Sequence, residues 1–536
     1  MQLSDHIWQG VRQLITGAFF LFTGLTLYYA LLSQNFLLAA ETTTWVTLVM
    51  LVVLCLLIVI LITDNPIRRE IRWYRHQTGW WGMLLFGALV LLFQVELIWA
   101  THPAIGFDAQ MVHRALVDPT GISQRGYFSQ NTNNLPLLLA EVGVSKLLGS
   151  TSWLTLDWAT LIFVDCAALL NVATVALIKP KQVKSMWYLQ GCGLLLFPSI
   201  IIPYTDTWVL PLVSLTLLGL AGTAKKWAIW WRSLFAVIAG VGLSLTYFMK
   251  PSGIIPVIGI GMVVLIASCR RLTWQRFGIG VWLSLLLAGS GYATYHQGET
   301  YQNHQTFIKI NRALEVPAIH FLSIGQGQLR GEYSAQEALA MAKLPKRADK
   351  VAYSKKMLKQ HLQKDGFWGH LWFLIQKQGY NTADGTFGWL GEGTFMYAGK
   401  PASNWRWLFQ TFLYPEGANV ATFRFVAQIA WVALLVVLVA GWRESGVMAN
   451  GLRLTILGTY AFLLLFEGGR SRYLIQVLPE MLILGALLLP AAKQQIARLL
   501  VVTGLWKGRE AKWLMDGLFL VRSFGSMCFR SSTGPT

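Results

Sequence analysis

Long apolar runs separated by short polar connections make up most of the chain, and the length of those runs decides what they form. A helix needs about 20 mostly apolar residues to cross the hydrocarbon core of a bilayer. Stretches of that kind recur along nearly the whole sequence. They predict about twelve transmembrane helices, near 14–33, 44–63, 81–100, 153–178, 187–202, 207–222, 233–249, 252–268, 277–295, 423–441, 454–467 and 473–490. The first run is too long for a signal-peptide core and lacks a small-residue cleavage site, so it reads as a retained span.

Two stretches depart from this pattern. The segment "VAYSKKMLKQHLQKDGFWGHLWFLIQKQ" alternates apolar and basic residues at helical spacing, with Trp368, Trp372 and Phe373 gathered in its second half. This predicts amphipathic helices lying on the membrane surface. The basic tail after Pro490 holds apolar pieces too short to span, which read as interfacial helices. The expected fold is therefore all-α and polytopic. Its parts are two N-terminal spans with a basic loop (1–80), a core (81–295) whose first long loop is 101–152, a polar segment (296–422), C-terminal spans (423–490) and a basic tail (491–536).

Charge sets the expected sidedness. Arg68, Arg69, Arg72 and Arg75, then Lys179, Lys181 and Lys184, then Lys225, Lys226 and Arg232, then Arg270, Arg271 and Arg276 fall in alternate connections. Short loops rich in Lys and Arg stay in the cytoplasm. Both termini are then cytoplasmic, and the connections 101–152 and 296–422 are exoplasmic.

Composition agrees with this class. Of 536 residues 54% are hydrophobic and only 13% charged, too little polar surface to coat a soluble globule of this size. The formal charge of +19 is spread over loops and tail, where it suits anionic membrane lipid, and no nucleic-acid partner is expected. The five cysteines fall in apolar runs (Cys55, Cys166, Cys192) or on the cytoplasmic side (Cys269, Cys528). They suggest neither an exterior disulfide framework nor a metal site.

The ionisable residues near the outer boundary carry the chemical information, because charge at membrane depth is costly and usually faces a cavity or a partner. These are Asp108, Asp206, Lys250, Glu467, Arg470 and Arg472, drawn from distant parts of the chain yet expected on one face. Guanidinium groups at Arg470 and Arg472 suit phosphate oxygens, Lys250 adds a point charge, and Asp108 is able to take a proton from an attacking hydroxyl. Such a division of labour fits sugar transfer from a lipid phosphate. Each residue also has a plainer reading. Asp108 and Asp206 suit helix caps, Arg470 and Arg472 suit interface anchors, Lys250 suits a solvated turn, and Asn133 and Asn134 suit a turn before Pro136.

These residues resemble the GT-C superfamily of polytopic glycosyltransferases, which includes the protein mannosyltransferases and bacterial enzymes that use polyprenyl-phosphate sugars. The resemblance rests on Asp108 in "GFDAQ", the "YTD" element ending at Asp206, the pair Lys250–Pro251 and the pattern E-x-x-R-x-R-Y from Glu467 to Tyr473. They occur in the right order across roughly residues 80–490. "YFSQNTNNLP" is similar to a Tyr-Phe box with paired asparagines in firmicute members, with Thr132 where that box often has proline. Some relatives carry two close acids in the first loop. This chain has Asp-Ala-Gln, which supplies few oxygen ligands for a hard cation.

The resemblance implies an enzyme of the bacterial plasma membrane with an exoplasmic site and an undecaprenyl-phosphate sugar donor. Inversion at the anomeric carbon is implied, and no cofactor, with a divalent metal left open. In that picture Asp108 is the general base, and Arg470 and Arg472 hold the phosphate with help from Lys250. Asp206, Tyr127, Asn133, Asn134 and Glu467 orient substrates, while the segment 296–422 covers the site and selects a cell-envelope acceptor. The first two spans are an addition to the family core. Rival readings are a transporter or flippase of lipid-linked sugars and a polysaccharide polymerase or ligase; the absence of matched halves speaks against the first.

Overall fold

The computed structural model describes residues 2–36, 49, 52, 79–197, 199–268, 273–327, 329–389, 396–397, 403–466 and 468–502. Its helices, in chain order, are α1 (Gln2–Leu31), α2 (Trp81–Ala100), α3 (Phe107–Val117), α4 (Ile122–Gln130), α5 (Leu135–Leu148), α6 (Trp153–Ile178) and α7 (Val183–Leu196). A single turn, Thr205–Trp208, leads into α8 (Leu210–Thr223), α9 (Ile229–Met249), α10 (Ile255–Ser268) and α11 (Trp274–His304). The polar segment contributes α12 (Ala318–Gly325), α13 (Ala335–Ala342), α14 (Arg347–Lys364), α15 (Gly366–Thr382) and α16 (Asn404–Leu413). The chain closes with α17 (Val420–Ala440), α18 (Val447–Leu465) and α19 (Leu478–Val502).

Among the described residues, ten stretches are long and apolar enough to cross a membrane. They match the expected spans except in two places. The expected span 44–63 lies outside the described residues. The expected span 187–202 is the shorter helix α7, which stops at Leu196 because Phe197 precedes Pro198 and adopts extended geometry. Several helices are longer than expected, α1 by starting at Gln2 and α11 by running on to His304. α19 runs on through Pro490 to Val502, so the last span does not end at that proline.

Small residues let the spans approach closely, which is how helices associate where lipid removes the hydrophobic incentive. A Cβ at Gly219 of α8 would lie 2.6 Å from the backbone nitrogen of Ala239 on α9, and one at Gly259 of α10 would lie 2.8 Å from that of Thr455 on α18. Gly219→Leu is therefore expected to destabilise the bundle by about 1–3 kcal/mol through overpacking. Gly261→Leu, with no atom within 4 Å of its Cβ, is the matched control. Thermal unfolding of both variants in detergent checks this.

The N-terminal helix is part of the bundle. Thr16 donates to Asn450 of α18 at 3.4 Å, and the ring of Phe19 lies under the Arg453 guanidinium. Thr26 meets Gln378 and Thr382 of α15, each at 3.1 Å.

The polar segment sits at the end of the bundle where α2 and α18 finish. Gln410 donates to the carbonyl of Ala100 and Tyr414 to that of Thr101, both at 2.9 Å. A two-residue antiparallel ladder joins Ala104–Ile105 to Met396–Tyr397, a small departure from the all-α expectation. The amphipathic stretch forms two helices, α14 and α15, divided at Gly366, whose φ of +63° suits glycine. Their burial differs from a surface-lying pair. Phe367 and Trp368 are exposed, but Lys377, Gln378, Asn381 and Thr382 are buried, so the second half of α15 packs into the protein.

Candidate active site

Asp108 stands in the first turn of α3, one residue after the start, where the helix dipole favours a carboxylate. It is not the cap, since Gly106 occupies that position without any side-chain capping bond. Phe107 before it has φ +53°, a strained conformation for a non-glycine residue, of the sort that clusters at functional sites.

Two phenols hold the carboxylate. Tyr127 donates to Oδ1 at 2.9 Å and Tyr204 to Oδ2 at 3.4 Å. Asn134 in turn donates to the Tyr127 hydroxyl at 2.5 Å. Burial, and then the neighbouring Asp108 charge, push the Tyr127 phenol well above its ordinary pKa. It stays a protonated donor across the physiological range.

Arg472 approaches the same carboxylate, its Nη2 3.7 Å from Oδ2. The guanidinium is framed by the rings of Tyr473 at 5.1 Å, Tyr204 at 5.9 Å and Trp389 at 6.0 Å. Its side chain is 10% exposed against 39% for Asp108, so the carboxylate keeps an open face while the cation is recessed.

A second ion pair lies near Tyr473. Lys250 Nζ meets Asp206 Oδ1 and sits 5.5 Å from the centre of the Tyr473 ring. Pro251 explains its placement: α9 must end before a proline, and Lys250 is extended at φ −156°, ψ 110°. Asp206 follows Tyr204, whose extended backbone opens the single turn Thr205–Trp208. Its Oδ2 is buried and accepts no hydrogen bond among the described residues.

The sequence candidates thus divide. Asp108, Tyr127, Asn134, Asp206, Lys250 and Arg472 converge on one region. Asn133 is exposed at its edge, its amide 3.5 Å from that of Asn134. Arg470 turns toward Glu332, Nη2 lying 3.9 Å from that carboxylate, so the two arginines do not act as a matched pair. Glu467 lies outside the described residues.

Tyr204, Tyr473 and Trp389 are additions that sequence reasoning did not single out as site residues. Trp389 is carried by "ADGTFGW", a loop organised by Asp384. Its Oδ1 accepts from Asn35 at 2.7 Å and from the Thr386 amide at 2.8 Å, and its Oδ2 from the Gly388 amide at 2.8 Å. Gln428 supports the loop from α17, accepting from the Gly385 amide at 2.8 Å. The acid two residues before a threonine and four before a glycine is the available signal. Asp384→Ala would remove the acceptor of the Thr386 and Gly388 amides. It is expected to loosen the loop and cost about 1–3 kcal/mol, which unfolding in detergent will report.

An apolar cavity of about 120 Å³ lies alongside, lined in part by Leu189, Phe197, Phe387, Trp431, Leu434 and Leu482. Phe387 belongs to the same loop as Trp389, so one turn of chain separates the apolar cavity from the Arg472 region. Among the described residues, no group of three or more His, Cys, Asp or Glu side chains has the arrangement of a metal site.

A family model described as conserved hypothetical integral membrane protein matches residues 7–493. The chain belongs to this family. No curated protein and no solved structure matches it. The match covers most of α1 and the first part of α19, so the N-terminal helix and the charged end of the bundle fall within one family unit of an integral membrane protein.

Proposed function

We propose that this conserved integral membrane protein is a glycosyltransferase of the bacterial plasma membrane, with a GT-C-like bundle of about twelve spans. It moves a sugar from a polyprenyl-phosphate donor to a cell-envelope acceptor on the exoplasmic side, with both termini cytoplasmic. The observation that carries this reading is the pairing of a half-open carboxylate with a recessed guanidinium. Asp108, fixed by two phenols, lies 3.7 Å from Arg472.

The step balances simply. The acceptor hydroxyl gives its proton to Asp108 while its oxygen bonds to the anomeric carbon from the face opposite the phosphate. The bond between that carbon and the phosphate oxygen breaks, and its electron pair leaves with the polyprenyl phosphate. Arg472 and Lys250 neutralise the dianion that departs. Before the donor enters, Arg472 leans on Asp108; the donor phosphate competes for the guanidinium and frees the carboxylate to act as base. Tyr127, Asn134 and Asp206 orient the reacting groups. Arg470 and Asn133 are assigned to the rim, and the buried Trp389 ring backs the Arg472 guanidinium.

The test uses purified protein in proteoliposomes with undecaprenyl-phosphate sugars labelled in the sugar, alongside an extract of envelope glycans. Label joined covalently to an acceptor supports the proposal. Label that crosses the bilayer while still on its lipid supports the flippase reading instead, and growth of a repeating polymer on the lipid supports the polymerase reading.

A further inference from the structure

The turn that delivers Arg472 to the site is tied down from outside the site, by two side chains of α15. Lys377 is fully buried, and its ammonium lies among the carbonyls of Gly325, Leu464 at 3.1 Å and Phe466 at 2.7 Å. Gly325 is the last residue of α12, and Leu464 is in the last turn of α18. Helix C-termini leave carbonyls without intrahelical partners and carry the negative end of the dipole. One ammonium therefore joins two such ends.

Asn381, one turn further along α15 and also fully buried, completes the arrangement. Its Nδ2 donates to Leu463 O at 3.1 Å, while its Oδ1 accepts from the Gly469 amide at 2.6 Å. The Gly468 amide donates to Gly331 O at 2.8 Å, and Ser471 Oγ lies 3.3 Å from Tyr380 O. The glycine pair in "EGGRSR" makes this fit feasible. A Cβ at Gly468 would fall 2.6 Å from Asn381 Oδ1, and Gly469 has φ +75°, a region that side chains disfavour.

The geometry points to Lys377 and Asn381 as positioning residues that set the register of the 468–472 turn, and through it decide that Arg472 faces Asp108 while Arg470 faces Glu332. A slip of one residue in this turn would put Ser471 where Arg472 stands, and a slip of two would put Arg470 there. Reading the outcome as phosphate binding rests on the function proposed above, so the experiment measures the turn and the binding separately.

Full-length protein in nanodiscs is compared with Lys377→Met, the milder Asn381→Ala, and Arg453→Met. Arg453 is an equally buried cation that holds carbonyls after α17, donating to Glu444 O at 2.6 Å and Gly441 O at 3.1 Å. It controls for general loss of stability. Hydrogen exchange is followed at residues 469–472, and binding is followed with undecaprenyl phosphate.

The expected result is exchange at the turn raised about tenfold in both α15 variants, with undecaprenyl phosphate bound about tenfold more weakly, and neither changed by Arg453→Met. Unchanged exchange in both α15 variants, or an equal rise in Arg453→Met, overturns the positioning role. If the wild type fails to bind undecaprenyl phosphate while exchange at the turn still rises selectively, the positioning role stands and the phosphate reading falls.

Discussion

Asp108→Asn is expected to reduce sugar transfer by about 10³-fold, within the range that a positioned general base contributes, while leaving the binding of undecaprenyl phosphate close to that of the wild type. Asparagine has nearly the same shape. Its amide oxygen still accepts from Tyr127 or Tyr204, whose hydroxyls lie 2.9 and 3.4 Å from the native carboxylate. What the variant loses is the ability to take a proton from the acceptor. Removing the charge also releases Arg472, which lies 3.7 Å away, and so gives no reason for weaker phosphate binding. Single-turnover transfer and equilibrium binding, measured on the same nanodisc preparation, separate the two effects. Full transfer by this variant would remove Asp108 from the chemistry. A parallel collapse of binding and transfer would point to a structural role for the carboxylate instead.

The spans were the most legible part of the chain, since their length and apolar content depend on the bilayer more than on any partner. What hydropathy does not register is where a helix stops for local reasons. α7 ends before Pro198 although its sequence stays apolar, while α19 continues past Pro490. The polar segment was harder. Lys377 belongs to a stretch whose alternation of apolar and basic residues reads as a solvated amphipathic face. In the fold its ammonium is buried against the carbonyls of Gly325, Leu464 and Phe466, acceptors contributed by chain far away in sequence.

The candidate site was legible by residue type rather than by direction. Asp108, Asp206, Lys250 and Arg472 were visible because charged groups near a membrane boundary need a reason. The plainer alternative for Asp108 fails on geometry, since Gly106 is the cap. Nothing in "RSR" distinguishes its two arginines. The difference comes from Gly469 at φ +75° and from the 3-10 segment Ser471–Val477 that begins between them. Trp389 was hidden for a related reason. Its loop is shaped by Asn35 and Gln428, residues from distant parts of the chain that only the fold brings together.

That inequality between the arginines leads to the second large effect. Arg472→Met is expected to lower kcat/KM for transfer by about 10²–10³-fold, the size seen when a group stabilising transition-state charge is lost. Arg470→Met should cost no more than about tenfold, because Arg470 faces Glu332 at 3.9 Å and not Asp108, and a partly exposed ion pair at that separation contributes little. Arg472→Lys sharpens the comparison. It keeps one positive charge but loses the planar fork that can meet two phosphate oxygens at once and lie against the rings of Tyr204, Trp389 and Tyr473. If charge alone mattered, lysine would restore most of the activity. If the leaving phosphate is gripped by the fork, Arg472→Lys should stay nearer to Arg472→Met, with most of the loss in kcat. Steady-state transfer assays on all three variants decide between these outcomes, and equal effects at positions 470 and 472 would contradict the assignment of the phosphate to Arg472.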